Sequence, residues 1–118
     1  MKRKLICLWD ALKVVWGEKV FRISLGICTA GIVVGLLVGI GMTQLVLLVA
    51  IACMGLALEI ANTGIEKLMD IVHPSYSLKV KVVKDLFGAV PAFLYSAYVI
   101  SWLILVSPYL IRWLLGRI

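Results

Sequence analysis

Leu45-Val-Leu-Leu-Val-Ala-Ile-Ala-Cys-Met-Gly-Leu-Ala-Leu58 runs without a charge straight into Glu59-Ile-Ala-Asn62-Thr63-Gly-Ile-Glu66-Lys-Leu-Met-Asp70. No helix breaker intervenes before His73-Pro74, and the residue before a proline avoids the helical region, so one helix is predicted as far as about Ile71. About 20 apolar residues of helix cross a hydrocarbon core of about 30 Å. Glu59 lies about 21 Å along that helix from Leu45 at 1.5 Å per residue, just inside one edge of the core. An ionisable group at that depth costs roughly 2.5–3.5 kcal/mol on insertion scales and marks a functional site by default. At about 100° per residue, Asn62, Glu66 and Asp70 each fall within roughly 60° of Glu59 about the axis. One face carries all four.

The remaining sequence reads outward from this helix as an all-α integral membrane protein. A chain of 118 residues that is 64% hydrophobic and 15% charged is too apolar for an ordinary soluble domain. Segments 23–43, 45–65 and 86–107 each meet the length of a transmembrane helix, the middle one with Glu59 near its end. Residues 2–20 place Leu5, Leu8, Leu12 and Val15 three and four apart with Trp9 and Trp16 beside them, the pattern of an amphipathic surface helix in the membrane interface. No small-residue cleavage pattern follows a short apolar stretch, so a removed signal peptide is not expected. With no repeat, linker or low-complexity tract, residues 1–118 read as a single membrane domain.

The net charge of +6 is topological. Lys2, Arg3, Lys4, Lys13, Lys19 and Arg22 precede the first span, Lys67, Lys79, Lys81 and Lys84 lie between the second and third, and only Arg112 and Arg117 follow. The positive-inside rule then puts the N-terminus and the 67–85 segment in the cytoplasm. That accounts for the basic excess without nucleic acid as a partner. Cys7, Cys28 and Cys53 show no paired or metal-ligand spacing and read as small apolar residues. Gly31, Gly35 and Gly39 form a doubled GxxxG ridge that lets another helix approach closely. The link between spans one and two, around Thr43-Gln44, is too short to hold a site, and Pro91 is expected to bend the third span.

Glu18 and Arg22 before the first span and Lys84-Asp85 before the third fall at the same cytoplasmic level as the acidic face. Carboxylates, an amide and a lysine in one layer suit Mg²⁺–phosphate chemistry: Mg²⁺ is commonly held by one or two carboxylates plus substrate phosphates. A lysine near a helix N-terminus meets phosphate oxygens alongside free backbone N–H groups. A deeper, partly desolvated carboxylate is placed to accept the proton of a lipid hydroxyl. Two other classes compete. A small carrier would need polar groups through the bilayer, and a non-enzymatic assembly protein using the glycine ridge leaves the acidic face without a role.

Glu59-Ile-Ala-Asn62-Thr63-Gly-Ile-Glu66-Lys-Leu-Met-Asp70, followed at a fixed distance by Lys84-Asp85, resembles the prokaryotic diacylglycerol kinase family, as does Trp16-Gly-Glu18-Lys-Val-Phe21-Arg22-Ile ahead of the first span. The resemblance implies a trimeric helix bundle in a bacterial cytoplasmic (inner) membrane, with three transmembrane helices and an N-terminal surface helix. It also implies active sites shared between protomers of a homotrimer and phosphorylation of a lipid alcohol by ATP with Mg²⁺. Carried over by position, Glu59 matches the general base, and Glu18 and Glu66 match the carboxylates holding the divalent cation. Asn62 matches the partner beside the base and Lys84-Asp85 the pair at the nucleotide phosphates, with Asp70 and Tyr76 more loosely on the nucleotide side. The family lacks a P-loop, and none occurs here.

Departures from the enterobacterial type are Ser24 for a second carboxylate, Gly88 for a serine near the reacting lipid, Ser77 for a common histidine, and Pro91. They bear on the acceptor lipid rather than on the metal or the base. Gly88 is expected to widen the groove beside the reacting hydroxyl, because glycine leaves a side chain's space open. Diacylglycerol, giving phosphatidic acid, is the expected acceptor. The alternative is undecaprenol, since the Pro74-Ser-Tyr76 and Phe21-Arg22-Ile segments lean towards a branch resembling undecaprenol kinases.

Overall fold

Four helices account for the secondary structure of the described residues, 1–75 and 77–116, in a computed structural model. They are α1 (Lys2–Trp16), α2 (Lys19–Leu37), α3 (Met42–Val72) and α4 (Leu78–Leu115). Three of them, α2, α3 and α4, are long and apolar enough to cross a membrane. The chain is thus a helical multi-pass membrane protein. No strand occurs among the described residues.

Local chemistry moves two boundaries away from the sequence expectation. The first segment, expected as a helix over 2–20, stops at Trp16, and Gly17 and Glu18 turn the chain before α2 begins at Lys19. Glycine lowers helix propensity by about 1 kcal/mol, and Glu18 takes an extended backbone at the α2 N-cap. The helix of the first expected span therefore starts four residues before 23 and ends at Leu37 rather than 43. Its turn falls at Val38–Gly41, not around Thr43-Gln44, because Gly39 adopts a φ of +82°, a left-handed conformation that favours glycine. Gly39 thus leaves the expected helical ridge.

The other two glycines of that ridge admit neighbours from within the chain. A Cβ on Gly31 would stand 2.6 Å from the Tyr98 Oη and 3.3 Å from the Trp102 ring, and one on Gly35 would stand 2.8 Å from Ile40 Cδ1. The close approach lets the Tyr98 hydroxyl donate to the Cys28 carbonyl at 2.8 Å and the Trp102 Nε1 to the Gly31 carbonyl at 2.9 Å. These two bonds tie α4 to α2 inside the apolar region, where each unsatisfied polar group is costly. Cys28, Leu48, Ala52, Tyr98 and Val106 form the core beside them. Gly31→Ala is expected to lower stability by about 1–3 kcal/mol through overpacking, read as an earlier thermal transition in detergent micelles.

Helix α3 packs most extensively against α4. At 38 residues α4 outlasts the expected 86–107 span on both sides and continues through Pro91 and Pro108. Its start is set by Ser77, whose Oγ accepts from the Val80 N–H at 3.2 Å, a serine N-cap.

Candidate active site

The acidic face of α3 is buried at Glu59 and Asn62, half-buried at Glu66 and exposed at Asp70. Glu59, Asn62 and Thr63 retain 7%, 8% and 5% of their exposure and are the buried polar or charged side chains among the described residues. They line a cleft of about 280 Å³ together with Glu18, Val20, Glu66, Gly88, Ala92 and Tyr95. Five residues expected at the metal and lipid, Glu18, Glu59, Asn62, Glu66 and Gly88, thus meet in one place from three separate parts of the chain. Glu18 arrives through the break at Gly17, which ends α1 and turns the chain into α2. Gly88 arrives on α4 one turn beyond Lys84, and a Cβ built on it meets nothing within 4 Å.

Hydrogen bonds within the cleft leave specific groups free. Thr63 donates its hydroxyl to the Glu59 backbone carbonyl at 3.1 Å, so that hydroxyl serves its own helix. Asn62 Nδ2 donates to Glu66 Oε1 at 3.3 Å, orienting the carboxylate. Asn62 Oδ1 is then buried without a partner, as is the Tyr95 hydroxyl; Ser24 sits beside the latter without closing a hydrogen bond. The Glu59 carboxylate forms no hydrogen bond or ion pair among the described residues. An acceptor amide oxygen, a phenol and a carboxylate therefore converge unengaged. A buried polar group without a partner costs about 1–3 kcal/mol, so this cleft is built for a polar occupant.

The donor set fits a hard divalent cation. Glu18, Glu66 and the free Asn62 Oδ1 are all oxygen donors, and among the described residues no basic side chain lines the cleft. Among the described residues no group of three or more His, Cys, Asp or Glu is gathered closely enough to enclose a metal ion.

A second cavity, of about 330 Å³, is lined by Asp70, His73, Pro74, Ser75, Val80, Lys81, Lys84 and Asp85. It unites three of the residues expected at the nucleotide: Asp70, Lys84 and Asp85. Lys84 Nζ contacts Asp70 Oδ1 at 2.6 Å and Lys81 Nζ contacts Asp85 Oδ2 at 2.7 Å. Asp70 therefore parts from the acidic cleft, because it lies beyond the core and reaches across to α4. The expectation for Tyr76 falls outside the described residues. Tyr95 was not expected from the sequence; its signal there is the spacing Gly88, Ala92, Tyr95, four and then three residues along one face of α4.

Three bilayer-length helices carry a buried acidic cleft and, at the ends of α3 and α4, a polar cavity in which two lysines pair with two aspartates, the architecture of a membrane protein with an interfacial polar site. The family model for prokaryotic diacylglycerol kinase matches residues 8–106, and the chain belongs to that family. It is a membrane lipid kinase. No curated protein matches the chain.

Proposed function

We propose that the chain phosphorylates diacylglycerol with ATP and Mg²⁺ at the cytoplasmic face of a bacterial inner membrane, giving phosphatidic acid and ADP. The observation that carries this reading is the pair of cavities built on the same two helices, one acidic and bounded by Glu59, Asn62 and Gly88, the other bearing Lys84 one turn before Gly88 on α4. The lipid hydroxyl oxygen bonds to the γ-phosphorus, the bond from that phosphorus to the β–γ bridging oxygen breaks, and the hydroxyl proton passes to the Glu59 carboxylate. Glu18 and Glu66 would hold the cation, which supplies charge neutralisation at the phosphates. Asn62 fixes Glu66 through its amide N–H and offers Oδ1 to the occupant of the cleft. Lys84 and Asp85, with Asp70 and Tyr76 nearby in sequence, serve the nucleotide. Positioning and charge neutralisation supply most of the acceleration in phosphoryl transfer.

The charge distribution supports a cytoplasmic N-terminus and an α1 lying in the interface, with its Leu5, Leu8, Trp9 and Trp16 side chains exposed for the lipid. The family resemblance extends the reading to a homotrimer. Radiolabel transfer from ATP to a panel of lipid alcohols in mixed micelles tests the substrate. Diacylglycerol is expected to show the higher kcat/KM; a clear preference for undecaprenol would assign the alternative activity to the same residues.

A further inference from the structure

Tyr95 stands on the wall between two spaces. One is the acidic cleft; the other is an apolar groove of about 220 Å³ lined by Ser24, Ile27, Cys28, Tyr98 and Val99 as well as Tyr95 itself. Through Ile27, Tyr98 and Val99 that groove continues into a further apolar space reaching Gly31 and Trp102. The ring is seated by Gly55: a Cβ there would lie 2.9 Å from Tyr95 Cε1. Its phenol lies beside Ser24 on α2, where the two spaces meet. There its hydroxyl is buried and unpartnered, as is Asn62 Oδ1 on the facing helix.

These two orphaned groups differ in hydrogen-bond polarity. Asn62 Oδ1 accepts only, whereas the phenol has a proton to donate. The reacting hydroxyl gives its one proton to Glu59, so an occupant that also engages the phenol carries a separate acceptor towards its tail. An acylglycerol has both, in its free hydroxyl and its ester carbonyl. A polyprenol has the hydroxyl and only hydrocarbon behind it. We infer that Tyr95 is a specificity-determining residue that donates a hydrogen bond to an ester carbonyl of the acceptor lipid, selecting acylglycerols over alcohols with a plain hydrocarbon tail. The inference rests on the lipid kinase reading above and adds to it the feature of the lipid that is recognised.

The test compares a 1,2-diacylglycerol with the matching 1,2-dialkylglycerol, whose ether linkages keep the hydroxyl and chains but lack the carbonyls. Wild type is expected to favour the diacyl lipid by about tenfold in kcat/KM, since a site that places a polar group for a partner rejects the analogue lacking it. Tyr95→Phe keeps the ring against Gly55 and removes the hydroxyl. It is expected to bring the ratio close to one by losing activity on the diacyl lipid alone. An unchanged ratio in Tyr95→Phe, or an equal fall on both lipids, would overturn the inference. So would a wild type that phosphorylates both lipids equally, a result that needs no variant and leaves the lipid kinase reading intact. A wild type that labels neither glycerolipid would instead overturn diacylglycerol as the acceptor.

Discussion

Glu59→Gln is expected to lower turnover by at least about 10²-fold, because general acid–base catalysis typically contributes 10²–10⁴-fold. The substitution is close to isosteric and removes only the proton acceptor. Glu59 has no side-chain partner among the described residues to lose, so the fold is expected to persist with an unchanged thermal transition. Nucleotide binding should also survive, since the Lys84 cavity is lined by other residues. Turnover within about threefold of wild type would remove Glu59 from the role of base, that being far below the range such a group supplies. A parallel loss of nucleotide binding would point to a wider structural role.

Glu18→Gln and Glu66→Gln are expected to raise the Mg²⁺ concentration needed for half-maximal activity by at least about 10–100-fold, the loss that outer partners of metal ligands alone produce. Glutamine at 66 still offers an oxygen to Asn62 Nδ2, so the 3.3 Å contact has a replacement acceptor and the local packing is preserved. Activity should recover in both variants as Mg²⁺ is raised at saturating lipid, with little change in lipid KM. An unaltered metal requirement in both would take them out of the cation site. A defect that high Mg²⁺ leaves untouched would place them in the architecture of the cleft instead.

Periodicity alone makes the α3 side of the site legible in the sequence. Glu59, Asn62 and Glu66 share a face because a helix repeats every 3.6 residues, and no tertiary information is needed to see it. The three bilayer-length helices were readable for a similar reason, since hydrocarbon thickness sets their length. Glu18 was different: its level was evident, but its arrival in the cleft depends on the break at Gly17. Asp70 follows the stripe in projection yet joins Lys84, because the stripe ignores how far each residue stands beyond the core. Tyr95 was hidden by chemistry. A tyrosine in an apolar span reads as one more large side chain, and its place at Gly55 depends on the relative register of α3 and α4, which neither sequence contains alone. Gly39 likewise completed a one-dimensional motif that the left-handed turn at that residue dissolves.

Placing the proposed reacting groups of the two cavities, Glu18 apart, on just two long helices has a consequence for how this sequence can drift. Along α3 and α4 the separation between Glu59 and Glu66, or between Lys84, Gly88 and Tyr95, is counted out in helical residues, the last interval running through Pro91 without leaving the helix. Inserting or deleting one residue there would rotate everything beyond it by about 100° and shift it by about 1.5 Å, turning a reacting group away from the cleft. The connection between α3 and α4 obeys no such arithmetic, since connecting segments tolerate changes in length far better than the elements they join. Related chains are therefore expected to vary freely in the length of that loop while holding the two helical intervals fixed.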